Sequence, residues 1–179
     1  MIHSFLIAGF LCVLIVPSAA GAGSPVAGQS AATTKSEAER AWDDLRWLMT
    51  ALEAYSTDND FCFQPVGGPR DGIVSDLSKQ LEWYYANTYP HKTSPPIVDP
   101  WGREYRYVIS NTRKLYALYS LGPKGKLDAI AKRFLQRLRN DDVTEDELRE
   151  RRTSRNIIVG AGMFMFAPDE VLRTLKPVN

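Results

Sequence analysis

A chain of 179 residues suffices for one ordinary domain and is too short for two well-buried cores. With 44% hydrophobic and 24% charged residues its composition is that of a globular protein. Its 22 basic and 21 acidic residues give a formal net charge of +1, which leaves no electrostatic case for nucleic acid as a partner.

Phe5 to Val16 is an unbroken apolar run, ended by Pro17 and followed by small residues that offer cleavage sites after Ala20 or Ala22. The run is short for a bilayer span, and Met1 to Ser4 carry no Lys or Arg. Residues 1–22 are therefore expected to be a signal peptide or a short membrane leader, and the protein to be exported: periplasmic or extracellular, or anchored in the inner membrane if the leader stays. Removal of the leader takes Cys12 with it and leaves Cys62 alone, so no internal disulfide is expected. Cys62 beside Phe61 and Phe63 reads as a small hydrophobe.

Gly21 to Thr34 is uncharged and rich in Gly, Ala, Ser and Thr, so residues 23–35 read as a flexible linker and 36–179 as the folded domain. Ser36 and Glu39 form a capping box, and Ala41, Leu45, Leu48, Met49, Leu52 and Tyr55 recur at helical spacing; a helix over Glu37–Ser56 follows. Asp58, Asn59 and Asp60 end it, and Pro65, Gly67, Gly68, Pro69 and Gly72 mark a loop. A second helix is predicted over Ser75–Ala86, with Leu77, Leu81 and Tyr85 on one side. Pro90, Pro95 and Pro96 keep the next stretch extended.

Asp99, Pro100, Trp101 and Gly102 have the residue preferences of a type I turn. Tyr105–Ser110 and Leu115–Leu121 then predict an antiparallel hairpin whose second strand is buried on both faces. A helix is expected over Leu127–Asn140, with Ile130, Phe134, Leu135 and Leu138 as its apolar stripe. Thr144 with Glu147 opens a charged helix to about Arg152. Asn156–Phe166 reads as one last strand, with a bulge or close backbone approach at Gly160 and Gly162. The sum is an α+β fold.

The helix end Leu48 to Tyr55 followed by Thr57, Asp58 and Asn59, the Asp99–Gly102 turn, the strand Tyr105, Arg106, Tyr107, Val108, and Tyr116 to Gly125 containing Ser120, Leu121 and Gly122 resemble the major pseudopilin of type II secretion systems. The resemblance is to its C-terminal globular domain and covers about Ala41 to Gly125. It implies a long N-terminal helix packed on a small antiparallel sheet, here with additional helices inserted before the last strand. It also implies a non-enzymatic protein acting through protein partners in the cell envelope, in secretion or envelope assembly.

Two departures from the family qualify this. Gly9 and Phe10 are present, but Leu14 stands where a prepilin has Glu and Pro17 stops the apolar run, so an atypical member without the filament-forming segment is expected. Membrane contact is then expected only through an uncleaved leader. The family's calcium loop would place one aspartate at Lys124 and the other at Asp141 of Asn140, Asp141, Asp142, which the inserted segment moves away from Gly125. No cofactor is therefore expected; a calcium site would have to draw on Asp128, Asp141 and Asp142. Asp128 reads more simply as a helix cap.

Other chemistry finds little support. His91 lies in a Pro-bounded loop without a nucleophile motif, and one Cys with one His cannot supply the usual four ligands of zinc. Gly122 to Lys126 lacks the spacing of a phosphate loop. Asp141 to Arg155 mixes both charges and reads as a salt-bridged face, which as an insertion is also the place for a partner contact peculiar to this protein. A stand-alone periplasmic or secreted binding module is the alternative, with Trp83, Tyr84, Tyr85, Phe61 and Phe63 as its ligand or partner surface.

Overall fold

The computed structural model describes residues 35–59, 63, 69–91, 94–160 and 164–174. The leader, most of the linker, Phe61 and Cys62 lie outside these residues.

Helix α1 (Glu37–Asp58) starts as its capping box requires: the Ser36 hydroxyl accepts from Glu39 N–H, and Glu39 accepts from Ser36 N–H. Ala41, Leu45, Leu48 and Leu52, spaced three or four residues apart, are at most 1% exposed and form its inner stripe. The helix runs two residues beyond Ser56 because Thr57 and Asn59 satisfy its last carbonyls, those of Glu53 and Tyr55.

Strand β1 (Asp71–Ile73) leads through one 3-10 turn (Val74–Leu77) into α2 (Ser78–Thr88), so the regular helix starts later than Ser75. The predicted hairpin forms from β2 (Arg106–Ile109) and β3 (Tyr116–Ser120), paired antiparallel with Tyr107 opposite Leu118. Helices α3 (Ala129–Arg139) and α4 (Glu145–Arg149) follow, then β4 (Arg151–Thr153), β5 (Ile157–Gly160), β6 (Phe164–Ala167) and α5 (Asp169–Thr174).

The six strands form one sheet in the order β1-β2-β3-β5-β6-β4. All neighbours are antiparallel except β4 and β6. The fold is thus α+β, with α3 and α4 between β3 and the last three strands. Three expectations need correction. The charged helix stops at Arg149, because Arg151–Thr153 extend to pair with Met165–Ala167. The last apolar stretch is two strands, since Ile158 faces Phe166 and Gly160 faces Phe164 across an antiparallel ladder. Ile130 is 54% exposed, and Ala131 takes its place on the buried face of α3 beside Phe134, Leu135 and Leu138.

Alternation along the strands builds two cores. Tyr105, Tyr107, Ile109, Tyr116, Leu118, Ile157 and Val159 pack with α1, α2 and α5 on one side. Val108, Ala117, Tyr119, Ile158 and Phe166 pack with α3 and Leu148 of α4 on the other. Helices α3 and α4 therefore cover the second face, which explains why every residue of β3 is buried. Two phenols tie the sheet to α1: Tyr105 donates to Asp44 and Tyr116 to Glu53, each at 3.0 Å. Burial, then the adjacent Asp44 charge, pushes the Tyr105 phenol far above its ordinary range and keeps it a donor.

Candidate functional site

The turn at Asp99 is a buried polar lock. Asp99 is 3% exposed; its Oδ1 accepts from Trp101 N–H (3.1 Å) and Arg103 N–H (2.9 Å), closing the turn that Gly102 N–H completes onto Asp99 C=O. Its Oδ2 accepts from Ser120 Oγ at 2.6 Å, and Ser120 Oγ accepts in turn from Gly122 N–H at 2.9 Å. The turn is thereby fastened to the end of β3. Gly122, at φ +67°, has room for no side chain: a Cβ would lie 2.6 Å from the Arg155 carbonyl oxygen. Pro100 and Trp101 are half-buried, with Trp101 packed on the α1 core, and Leu121 packs on the other core. Tyr107 donates to the Pro69 carbonyl. Ser120 and Asp99 are both buried, and their hydrogen bonds hold the turn and the end of β3 together.

The loop after Ser120 already holds a cation. Arg103 donates from its guanidinium to the carbonyls of Gly122 (3.0 Å) and Pro123 (3.4 Å), and a Cβ on Gly125 would lie 2.7 Å from Arg103 Nε. With Lys124 alongside, this donor set does not fit a calcium ion. The aspartates are committed elsewhere. Asp128 caps α3 through Ala131 N–H and also accepts from Ser154 Oγ at 2.7 Å and from Arg155 N–H. Burial pushes its carboxyl up, but these hydrogen bonds outweigh that and hold it below the ordinary carboxylate range. Asn156 completes the joint, accepting from Asp128 N–H and donating to the carbonyls of Leu121 and Lys126. Asp141, at φ +60°, accepts from the backbone and hydroxyl of Thr112. Asp142 pairs with Arg137 at 3.2 Å. Among the described residues no three His, Cys, Asp or Glu side chains are grouped to hold a metal.

The aromatic surface is smaller than the sequence suggests. Consecutive helical residues point about 100° apart, so Trp83, Tyr84 and Tyr85 cannot share a face. Tyr85 is 1% exposed and belongs to the interior, where burial and then the Asp44 charge push its phenol up to about 12. Phe63 is likewise buried, its ring 4.3 Å from that of Tyr116. Trp83 is 64% exposed and stands edge-on to Tyr84, which meets Tyr55 in the same manner. Among the described members, Trp83 and Tyr84 are those that reach a surface.

An open cleft of about 430 Å³, marked by no sequence motif, lies between Ala38 at the start of α1, Trp101, Pro123 and Arg155. It depends on β4 pairing parallel to β6, which sets the segment from Thr153 to Arg155 beside α1. No local pattern signals that pairing.

A sequence model of the family described as type II secretion system (T2SS), protein G, matches residues 29–133. The chain belongs to this family. It is also similar to the type II secretion system core protein G of Pseudomonas aeruginosa, 29% identical over 83 residues, which is 46% of this chain and 57% of the relative. The chain thus spans just over half the length of that curated relative. No solved structure matches. The protein G match includes α1, the Asp99 lock and the hairpin and stops within α3, so α4, β4 to β6 and α5 fall beyond it.

Proposed function

We propose that this protein is an exported, non-enzymatic interaction protein that works with the type II secretion apparatus in the cell envelope, its head serving as the contact module. The observation that supports this most is the coincidence of the protein G match with the Asp99–Ser120 lock and the α1 stripe, which build a rigid scaffold instead of a reaction centre. The segment beyond the protein G match, from Phe134 to Arg155, supplies the surface peculiar to this chain. Crosslinking in cells that express the full chain, followed by identification of the partners, tests this reading. Capture of secretin, secretion ATPase or other pseudopilin components is expected; capture of no envelope component overturns it.

A second reading, a stand-alone periplasmic or secreted binding module, is favoured by Trp83 alone, whose exposure is unusual for a tryptophan. Joint replacement of Trp83 and Tyr84 by Ala, with Tyr85 kept, is the discriminating variant. Unchanged ligand binding removes the basis of that reading.

A further inference from the structure

Helix α3 contains four cations, Lys132, Arg133, Arg137 and Arg139, and no acidic residue. The cations in its C-terminal half are neutralised: Arg137 pairs with Glu147 and Asp142, and Arg139 with Asp71. Those nearer its start are not. Arg133 on α3, Lys124 and Lys126 in the preceding loop, and Arg155 before β5 are exposed, with no side-chain ion pair or hydrogen bond among the described residues. Cations near a helix N-terminus oppose the helix dipole, so this distribution does not serve the stability of α3.

Lys124, Lys126 and Arg155 lie together, and Arg133 stands one helical turn beyond Ala129, the chain neighbour of Asp128. Lys124, Lys126 and Arg155 surround a small depression with Asp128, whose oxygens are already taken by Ala131, Ser154 and Arg155 N–H. Arg133 and the exposed Ile130 border a second cleft, which Phe134 and Ala129, next in the chain to Asp128, also line. Arg155 lies towards the start of α1, where it shares the larger cleft with Ala38 and Pro123 and also with Asp128 and Glu170.

We propose that this surface, Lys124, Lys126, Arg133 and Arg155 around Ile130, docks the head on an anionic phospholipid membrane. The cations come from three separate segments and no ion pair fixes any of them in place, whereas a headgroup layer accepts charge in any arrangement. An exposed isoleucine among cations suits the boundary between headgroups and acyl chains. Each cation near such a surface adds about fivefold to binding, and salt removes the gain by screening. The proposal rests on the envelope reading above and extends membrane contact beyond the leader.

The test is sedimentation of the full chain with vesicles of phosphatidylcholine, with and without phosphatidylglycerol. Attachment through an apolar leader does not discriminate between the two; the basic surface does. The intact chain is expected to prefer the phosphatidylglycerol vesicles, and to lose that preference at high salt. The combined variant Lys124→Gln, Lys126→Gln, Arg133→Gln, Arg155→Gln is expected to lose it at low salt, at about fivefold per charge removed. Arg133→Lys with Arg155→Lys retains it, because charge and not guanidinium geometry is read. Equal binding of the intact chain to both vesicles, or a preference unchanged in the Gln variant, overturns the proposal and leaves an acidic protein face as the occupant. Neither result touches the secretion reading, which the crosslinking decides.

Discussion

Ser120 Oγ donates to Asp99 Oδ2 across 2.6 Å in a site where Asp99 is 3% exposed, so one buried hydrogen bond joins the 99–102 turn to the last residue of β3. Removing the donor leaves a buried carboxylate short of a partner. Ser120→Ala is expected to cost about 1.5–3 kcal/mol, the range for hydrogen bonds to charged groups. Asp99→Ala should cost more, since it also releases Trp101 and Arg103 N–H. Denaturant titration of both single variants and the double variant checks this; strictly additive losses would contradict a shared network.

Gly122→Ala is expected to destabilise by at least about 1–3 kcal/mol. The residue sits at φ +67° and its new Cβ would press on the Arg155 backbone, which no side-chain rotation can relieve. Gly102→Ala, at φ +80° with nothing within 4 Å, carries the backbone strain without the clash and should cost less. The two melting curves give the comparison.

Arg137 holds Glu147 through two hydrogen bonds, of 2.5 and 3.0 Å, and this bonding keeps the Glu147 carboxyl down at about 2 against 4.5 in its ordinary state. A depressed folded-state pKa stabilises the protein above the unfolded value, and that stabilisation is lost as pH falls from about 4.5 towards 2. Glu147→Gln should therefore be less stable than the native chain at neutral pH, the gap closing through this window. A gap that does not change with pH would sink the assignment.

Tyr105→Phe removes only the hydroxyl that donates to Asp44. A loss of about 0.5–1.5 kcal/mol is expected, with little change in secondary structure by circular dichroism. Leu48→Ala, in the α1 stripe where Leu48 is 0% exposed, should cost about 2–5 kcal/mol.

Calcium should leave the melting midpoint almost unmoved relative to EDTA. An ion that binds the native state raises the midpoint by mass action. A clear rise in excess calcium would show that the Arg103 guanidinium and Lys124 do not occupy the loop as described.

What the sequence made legible follows from local physics. The α1 stripe, both capping boxes, the Asp99 turn and the β2–β3 hairpin are encoded by residues within a few positions of one another. The burial of β3 on both faces was likewise visible, as an unbroken apolar run. The β4–β6 pairing was not, because Arg151, Arg152 and Thr153 gain strand geometry only from a partner more than ten residues away. Trp83, Tyr84 and Tyr85 were adjacent in sequence, and helical geometry separated them. The Arg103 contact with Gly122 and Pro123 has no signal in the sequence, because nothing local links an arginine to carbonyls about twenty residues on.

Among the described residues the sheet ends on both sides in strands of three residues, β1 with Asp71 and β4 with Arg151 and Arg152. Short charged borders of this kind offer another chain almost no ladder to extend. Copies of this head that meet one another, or meet a partner, must therefore do so side chain to side chain, and association by strand addition is blocked at its two natural points of entry.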